Sequence, residues 1–171
     1  VMLLSIFAFP AQAAKNTEPA VYGPIGLQMV EPEGFAETGF QVLYNDSLFN
    51  IVLNVDGTQQ LLTVIFRLSE TEFAFMQQDA SYASMQEAGL RMLGEMDGYT
   101  YLMLHVGDAP GNVNKYYAEV LGTDFDSLPE STREQVIAAL PLLSQAIPTL
   151  EIVPVSYVAD GVFDFSTTDL N

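Results

Sequence analysis

Cysteine is absent from the chain. That single absence excludes disulfide staples, thiol catalysis, zinc-thiolate sites and a lipid-modified cysteine, so packing alone must hold the fold. Tryptophan is absent too, and with it the usual platform on which sugar rings stack. A single histidine, His105, rules out a His-His metal site and an H-E-x-x-H helix. Basic side chains are scarce: five Lys and Arg face 22 Asp and Glu, giving a net charge of −17. Proteins bind nucleic acids largely by neutralising phosphates with Lys and Arg, and they bind anionic lipid surfaces in the same way. Neither partner suits this charge. There is no Walker loop, no G-x-G-x-x-G and no G-x-S-x-G elbow. No cofactor is expected.

Long apolar runs are also missing. The longest near the N-terminus, Val1–Phe9, meets Pro10 and then the small-x-small pattern Ala11-Gln12-Ala13. A spanning helix needs roughly 20 apolar residues. Residues 1–13 therefore read as a secretory signal peptide cleaved after Ala13, leaving no membrane span and a periplasmic or secreted protein.

What remains is a well-patterned chain. Its 171 residues, 49% apolar with eleven Phe, suit one domain with a sizeable core. The scattered carboxylates read as a solvated surface that keeps the protein soluble. Residues 14–23 read as a flexible tail, 24–165 as a single domain and 166–171 as a frayed end. Short strands are expected at Ile25–Val30 and Phe40–Tyr44. Leu48–Val55 alternates, with Phe49, Ile51, Leu53 and Val55 on one face. After a four-residue connection beginning at Asp56-Gly57, Leu61–Leu68 should return with Leu62, Val64, Phe66 and Leu68 inward. Ser69-Glu70-Thr71-Glu72 is a capping box with a hydrophobic staple between Leu68 and Phe73. It predicts one helix over 70–88, ending near Gly89, with Phe73, Met76, Ala80 and Ala83 against the sheet. A hairpin follows, Leu90–Met96 and Tyr99–Val106, joined by Asp97-Gly98 in a type I′ turn. Lys115–Leu121 reads as a further strand. A second helix should start at either Ser127…Glu130 or Ser131…Glu134 and kink or split at Pro141. Ile152–Phe165, with an Asp160-Gly161 turn, reads as an edge hairpin.

Two groups could carry chemistry. Tyr99, Tyr101, Met103 and His105 share one strand face, with Tyr116 or Tyr117 beside it. Such a row can bind a partner or a flat ligand, or simply be covered by a second layer. Asp124, Asp126 and Glu130 form the best carboxylate cluster, a candidate metal site. Counted from Asp124, Pro129 and Gln135 stand where an EF-hand loop requires Gly and Glu, so that motif fails.

The order of elements, opening with IGLQMVEPEGF and its Pro32-Glu33-Gly34 segment, resembles the Mog/PsbP-like superfamily, which includes DcrB-type exported bacterial proteins. The resemblance covers residues 24–147. It implies an α+β fold, an antiparallel β-sheet with two main helices packed on it as an α/β sandwich, and a binding or accessory role without catalysis. The expected function is thus a non-enzymatic exported protein of the bacterial envelope, with another envelope protein as its partner. A carboxylate-dependent hydrolase and a calcium-binding secreted protein stand as alternatives.

Overall fold

The structure is a computed structural model in which residues 18–107 and 110–156 are described. The signal-peptide expectation for residues 1–13, the Asp160-Gly161 turn and the end at 166–171 lie outside the described residues. The fold is α+β, with two antiparallel sheets and four α-helices among those residues.

The larger sheet contains β3 (Phe40–Tyr44), β4 (Leu48–Val55), β5 (Thr58–Ser69), β6 (Arg91–Met96) and β7 (Tyr99–His105), in the order β3-β4-β5-β7-β6. Both central hairpins turn on Asp-Gly. Asp56 and Gly57 have φ of 50° and 82°, and Asp97 and Gly98 have 52° and 80°. Asp tolerates this left-handed region and Gly enters it freely, which is what a two-residue type I′ turn demands. Val55 pairs directly with Thr58, so the first connection is two residues and not the four expected.

The smaller sheet contains β1 (Ala20–Tyr22), β2 (Leu27–Met29) and β8 (Glu151–Ile152), with β2 in the middle. The expected tail at 14–23 thus ends in a paired strand. Of the expected C-terminal hairpin, only Ile152 falls within a described strand, and that strand pairs with β2.

One interior joins the layers. Phe49, Ile51, Leu53 and Val55 of β4 meet Tyr22, Ile25, Leu27 and Met29 of the small sheet, and Val136, Leu140 and Leu143 of α4 (Glu130–Ala146). Tyr22 packs edge-on against Phe49, ring centroids 4.9 Å apart. Such aromatic pairs contribute about 0.5–1.5 kcal/mol beyond their buried area.

The alternation expected in β5 is corrected by a bulge. Ile51 pairs with Thr63 but Val52 pairs with Leu61, so Leu62 is an extra residue. An inserted residue flips the phase of everything beyond it. Thr63 and Ile65 therefore join the face of Ile51 and Phe49, whereas Val64, Phe66 and Leu68 lie on the other side.

The helices depart further from expectation. The 70–88 segment is two helices, α1 (Glu70–Gln78) and α2 (Ser81–Glu87). The capping box at Ser69 forms in full: Glu72 accepts from the Ser69 N–H at 2.7 Å, and Ser69 Oγ accepts from the Glu72 N–H at 3.3 Å. The break comes at Asp79, whose extended backbone ends α1 and whose carboxylate accepts from the Ser81 N–H at 2.8 Å. Neither helix buries a side chain: Phe73 and Met76 are half-buried, and Ala80 and Ala83 are exposed. The expected strand at 115–121 is instead largely α3 (Pro110–Glu119). Neither capping box at the second long helix forms. α4 begins after Pro129 with no side-chain cap and runs through Pro141 without splitting.

Candidate functional site

The Tyr99–His105 row lies on the face of β7 that points into the main interior. Across the sheet, Met103 aligns with Ile65 and Phe49, and His105 with Thr63 and Ile51. Tyr101 and Met103 are 1% and 0% exposed. Tyr101 Oη donates to the Ile25 carbonyl at 2.7 Å, tying β7 to the turn before β2. Tyr99, half-buried, carries the Arg67 guanidinium 3.5 Å above its ring centre. His105 Nδ1 lies 2.9 Å from Thr63 Oγ1. Tyr101 and Met103 are buried and Tyr99 and His105 half-buried, so the row offers no open platform. The turn before β2 closes over Tyr101, whose hydroxyl it binds.

Asp124, Asp126 and Glu130 do not converge either. Asp124 Oδ1 accepts from the Asp126 N–H at 3.1 Å and caps a short 3-10 turn, Phe125–Ser127. Asp126 lies 3.7 Å from an Arg133 nitrogen, and Glu130 sits in the first turn of α4, where the helix dipole favours a carboxylate. Among the described residues no group of three or more His, Asp or Glu is placed to hold a metal ion.

Several concavities remain. One of about 420 Å³ lies between the start of α1 and the Asp97-Gly98 turn and is rimmed by Glu70, Glu95 and Asp97. Another, of about 240 Å³, lies by His105, Glu87 and Lys115. A third, of about 450 Å³, is different in kind. Gln59, Gln60 and Leu61 of β5 form one wall, Tyr117, Val120 and Leu121 the other, and Thr123 and Leu128 close it. In a chain with 22 carboxylates, this lining carries no charged side chain.

Local structure explains the cavity. β5 is longer than its neighbour: β7 pairs only with Thr63–Ser69, so residues 58–62 continue past the end of that ladder. α3 packs there through Val113, Tyr116 and Tyr117, at spacings of three and four residues that put them on one helix face. Tyr117 Oη donates to Gln60 Oε1 at 2.9 Å, and its ring packs 4.8 Å from that of Phe125. Burial pushes the Tyr117 hydroxyl well above the usual phenol range, so it stays a neutral donor. Gln60 Nε2 in turn donates to Thr58 Oγ1 at 3.3 Å. Gln59 Oε1 is buried and has no hydrogen-bond partner among the described residues.

An apolar cavity of this size with a few fixed polar groups has the form of a small-molecule seat. It supplies neither a nucleophile paired with a base nor an acid–base pair. Sequence reasoning named Tyr117 only as a neighbour of the Tyr99 row and passed over Gln59 and Gln60. The available signal was the Val113, Tyr116, Tyr117, Val120 spacing, which is helical and places Tyr117 and Val120 on a common side. Among the described residues no helix is long and apolar enough to cross a membrane. No family model, no curated protein and no solved structure matches the chain.

Proposed function

We propose that this is a non-catalytic, exported binding protein of the bacterial envelope, and that the uncharged cavity between β5 and α3 seats its ligand. The observation that carries the reading is the lining itself: about 450 Å³ of mostly apolar wall, free of charge, in a chain of net −17. Export is supported by the apolar run at Val1–Phe9 and the Ala11-Gln12-Ala13 pattern after it. The sequence resemblance to Mog/PsbP-like proteins points the same way, toward an accessory role exercised on another envelope protein.

The test is titration with N-phenyl-1-naphthylamine, an uncharged apolar fluorophore. Saturable fluorescence enhancement is expected, and it should disappear in Leu121→Trp, which fills the space next to Tyr117. Leu121 is half-buried, so the larger ring can be accepted without rebuilding the core. No saturable signal, or the same signal in the filled variant, overturns the assignment.

A further inference from the structure

We infer that the α1–α2 crossover is a docking surface, and that its partner is a peptide segment that sets Lys or Arg side chains beside apolar ones. The inference is independent of the seat between β5 and α3 and uses none of its residues.

A helix on the surface of a domain ordinarily buries one apolar stripe against the core. α1 carries Phe73, Phe75 and Met76, and α2 carries Tyr82 and Met85, yet neither helix buries a side chain. Phe75 is 75% exposed, more than Val21 or Met92, the other large apolar side chains left open among the described residues. Aromatic and Met side chains held at a surface are typical anchors of a protein contact.

Beside the first turn of α1 the surface dips into the cavity of about 420 Å³ next to the Asp97-Gly98 turn. Phe73, Met96 and Tyr99 are half-buried in its wall, and Glu70, Glu95 and Asp97 stand exposed around them. Among the described residues none of these three carboxylates is in an ion pair, and they are not gathered to chelate a metal ion. An apolar wall below separated carboxylates fits a Lys or Arg side chain, whose stem packs on carbon while its head stays among the acids. Tyr99 already stacks one such head, the Arg67 guanidinium, 3.5 Å from its ring centre.

Charge decides among the occupants. The crossover carries Glu70, Glu72, Asp79 and Glu87 and no Lys, Arg or His. A second copy would bring the same acids and a further net charge of −17. An anionic lipid surface is repelled in the same way. A basic segment is attracted. Phe73 and Phe75 point to different sides of α1 but are two residues apart on a helix rising about 1.5 Å per residue, so one segment crossing the helix reaches both.

The probe is a fluorescent peptide of Leu and Lys at helical spacing, with two counterparts, one with Gln for Lys and one with Ser for Leu. Anisotropy titrations at physiological salt use the parent protein, Phe75→Ser, the double variant Glu95→Gln/Asp97→Asn, and a control, Glu33→Gln/Glu37→Gln, that removes the same charge from the exposed loop before β3. The parent should bind the Leu/Lys peptide at least about tenfold tighter than either counterpart. Phe75→Ser should weaken it about tenfold, as for the loss of one aromatic anchor, with an unchanged melt because the side chain is exposed. The cavity double variant should weaken it about fivefold and the control less than about twofold. Equal binding of a counterpart, an equal loss in the control, or no effect of Phe75→Ser would show diffuse attraction to an acidic protein and overturn the inference. Self-association, or binding to phosphatidylglycerol vesicles, that is lost in Phe75→Ser would assign the surface to a second copy or to lipid and overturn it too.

Discussion

Replacing Tyr101 with Phe tests how the two sheets are joined. The Tyr101 hydroxyl donates to the Ile25 carbonyl at 2.7 Å in a region where both residues are essentially unexposed. Deleting it removes a net hydrogen bond and leaves a buried carbonyl short of a donor, a loss of about 1–2 kcal/mol. For a chain of 171 residues each kcal/mol moves the melting temperature by about 2–4 °C, so a drop of about 2–8 °C is expected. Gly26 sharpens the test. It adopts φ +74°, and a Cβ there would lie 2.7 Å from the Val153 carbonyl oxygen and 2.9 Å from Tyr101 Oη. Gly26→Ala should cost more than about 2 kcal/mol, because the left-handed backbone alone costs an L-residue about 1–2 kcal/mol and the Val153 carbonyl cannot yield freely. In the double variant the clash with the hydroxyl is gone, so the losses should fall short of additivity by about 0.5–1 kcal/mol. Thermal melts and urea titrations of the four proteins measure this cycle. An unchanged melting temperature for Tyr101→Phe, or strict additivity, would show that the contact does not join the layers as described.

Two further outcomes follow from local geometry. Ser69→Ala should cost α1 about 1 kcal/mol. Because α1 buries no side chain, the loss should appear as faster amide exchange at Phe73–Gln77 with little change in the global melt; an equal slowing or no change in exchange would contradict it. At high pH, burial holds the Tyr22, Tyr101, Tyr116 and Tyr117 hydroxyls above the usual phenol range, and for Tyr22 the hydrogen bond to the Glu31 carboxylate adds to this. These folded-state values are raised, so their stabilisation is complete below about pH 10, where the unfolded chain begins to ionise, and is lost as pH climbs further. Each group contributes a slope of at most about 1.4 kcal/mol per pH unit. Tyrosinate absorbance followed together with circular dichroism should show these four ionising only as the fold is lost. Smooth titration of all eight tyrosines in a protein that stays folded would refute it.

Much of the sheet was legible because local signals agreed with the final packing. Leu48–Val55 is a strand over that span, although Asn50 and Val52 on its second face are buried as well, and Asp97-Gly98 makes the turn its composition implies. The errors arise where one residue changes the phase or where tertiary contacts decide. No propensity marks Leu62 as an insertion, so every side chain from Val64 to Leu68 was assigned to the wrong face. Asp79 competes with the helix by bonding Ser81, and splits a segment whose caps suggested one rod. Tyr116-Tyr117 reads as strand by residue type, yet Val113 and Val120 at helical spacing prevail once α3 finds the end of β5. The cavity was invisible for the same reason. Its walls come from a strand overhang and a helix that sequence alone placed as another strand.

The crossover from β5 to β6 has a consequence for how the molecule can be cut. β5 and β6 both run antiparallel to β7, so they are parallel to each other, and α1 with α2 forms the link between them. A connection that contributes no buried side chain can be nicked while the ladders on either side persist. Limited digestion should therefore give two fragments parted near Asp79-Ala80 that stay together as a noncovalent pair, making the crossover a natural point for inserting a reporter domain or joining new chain ends.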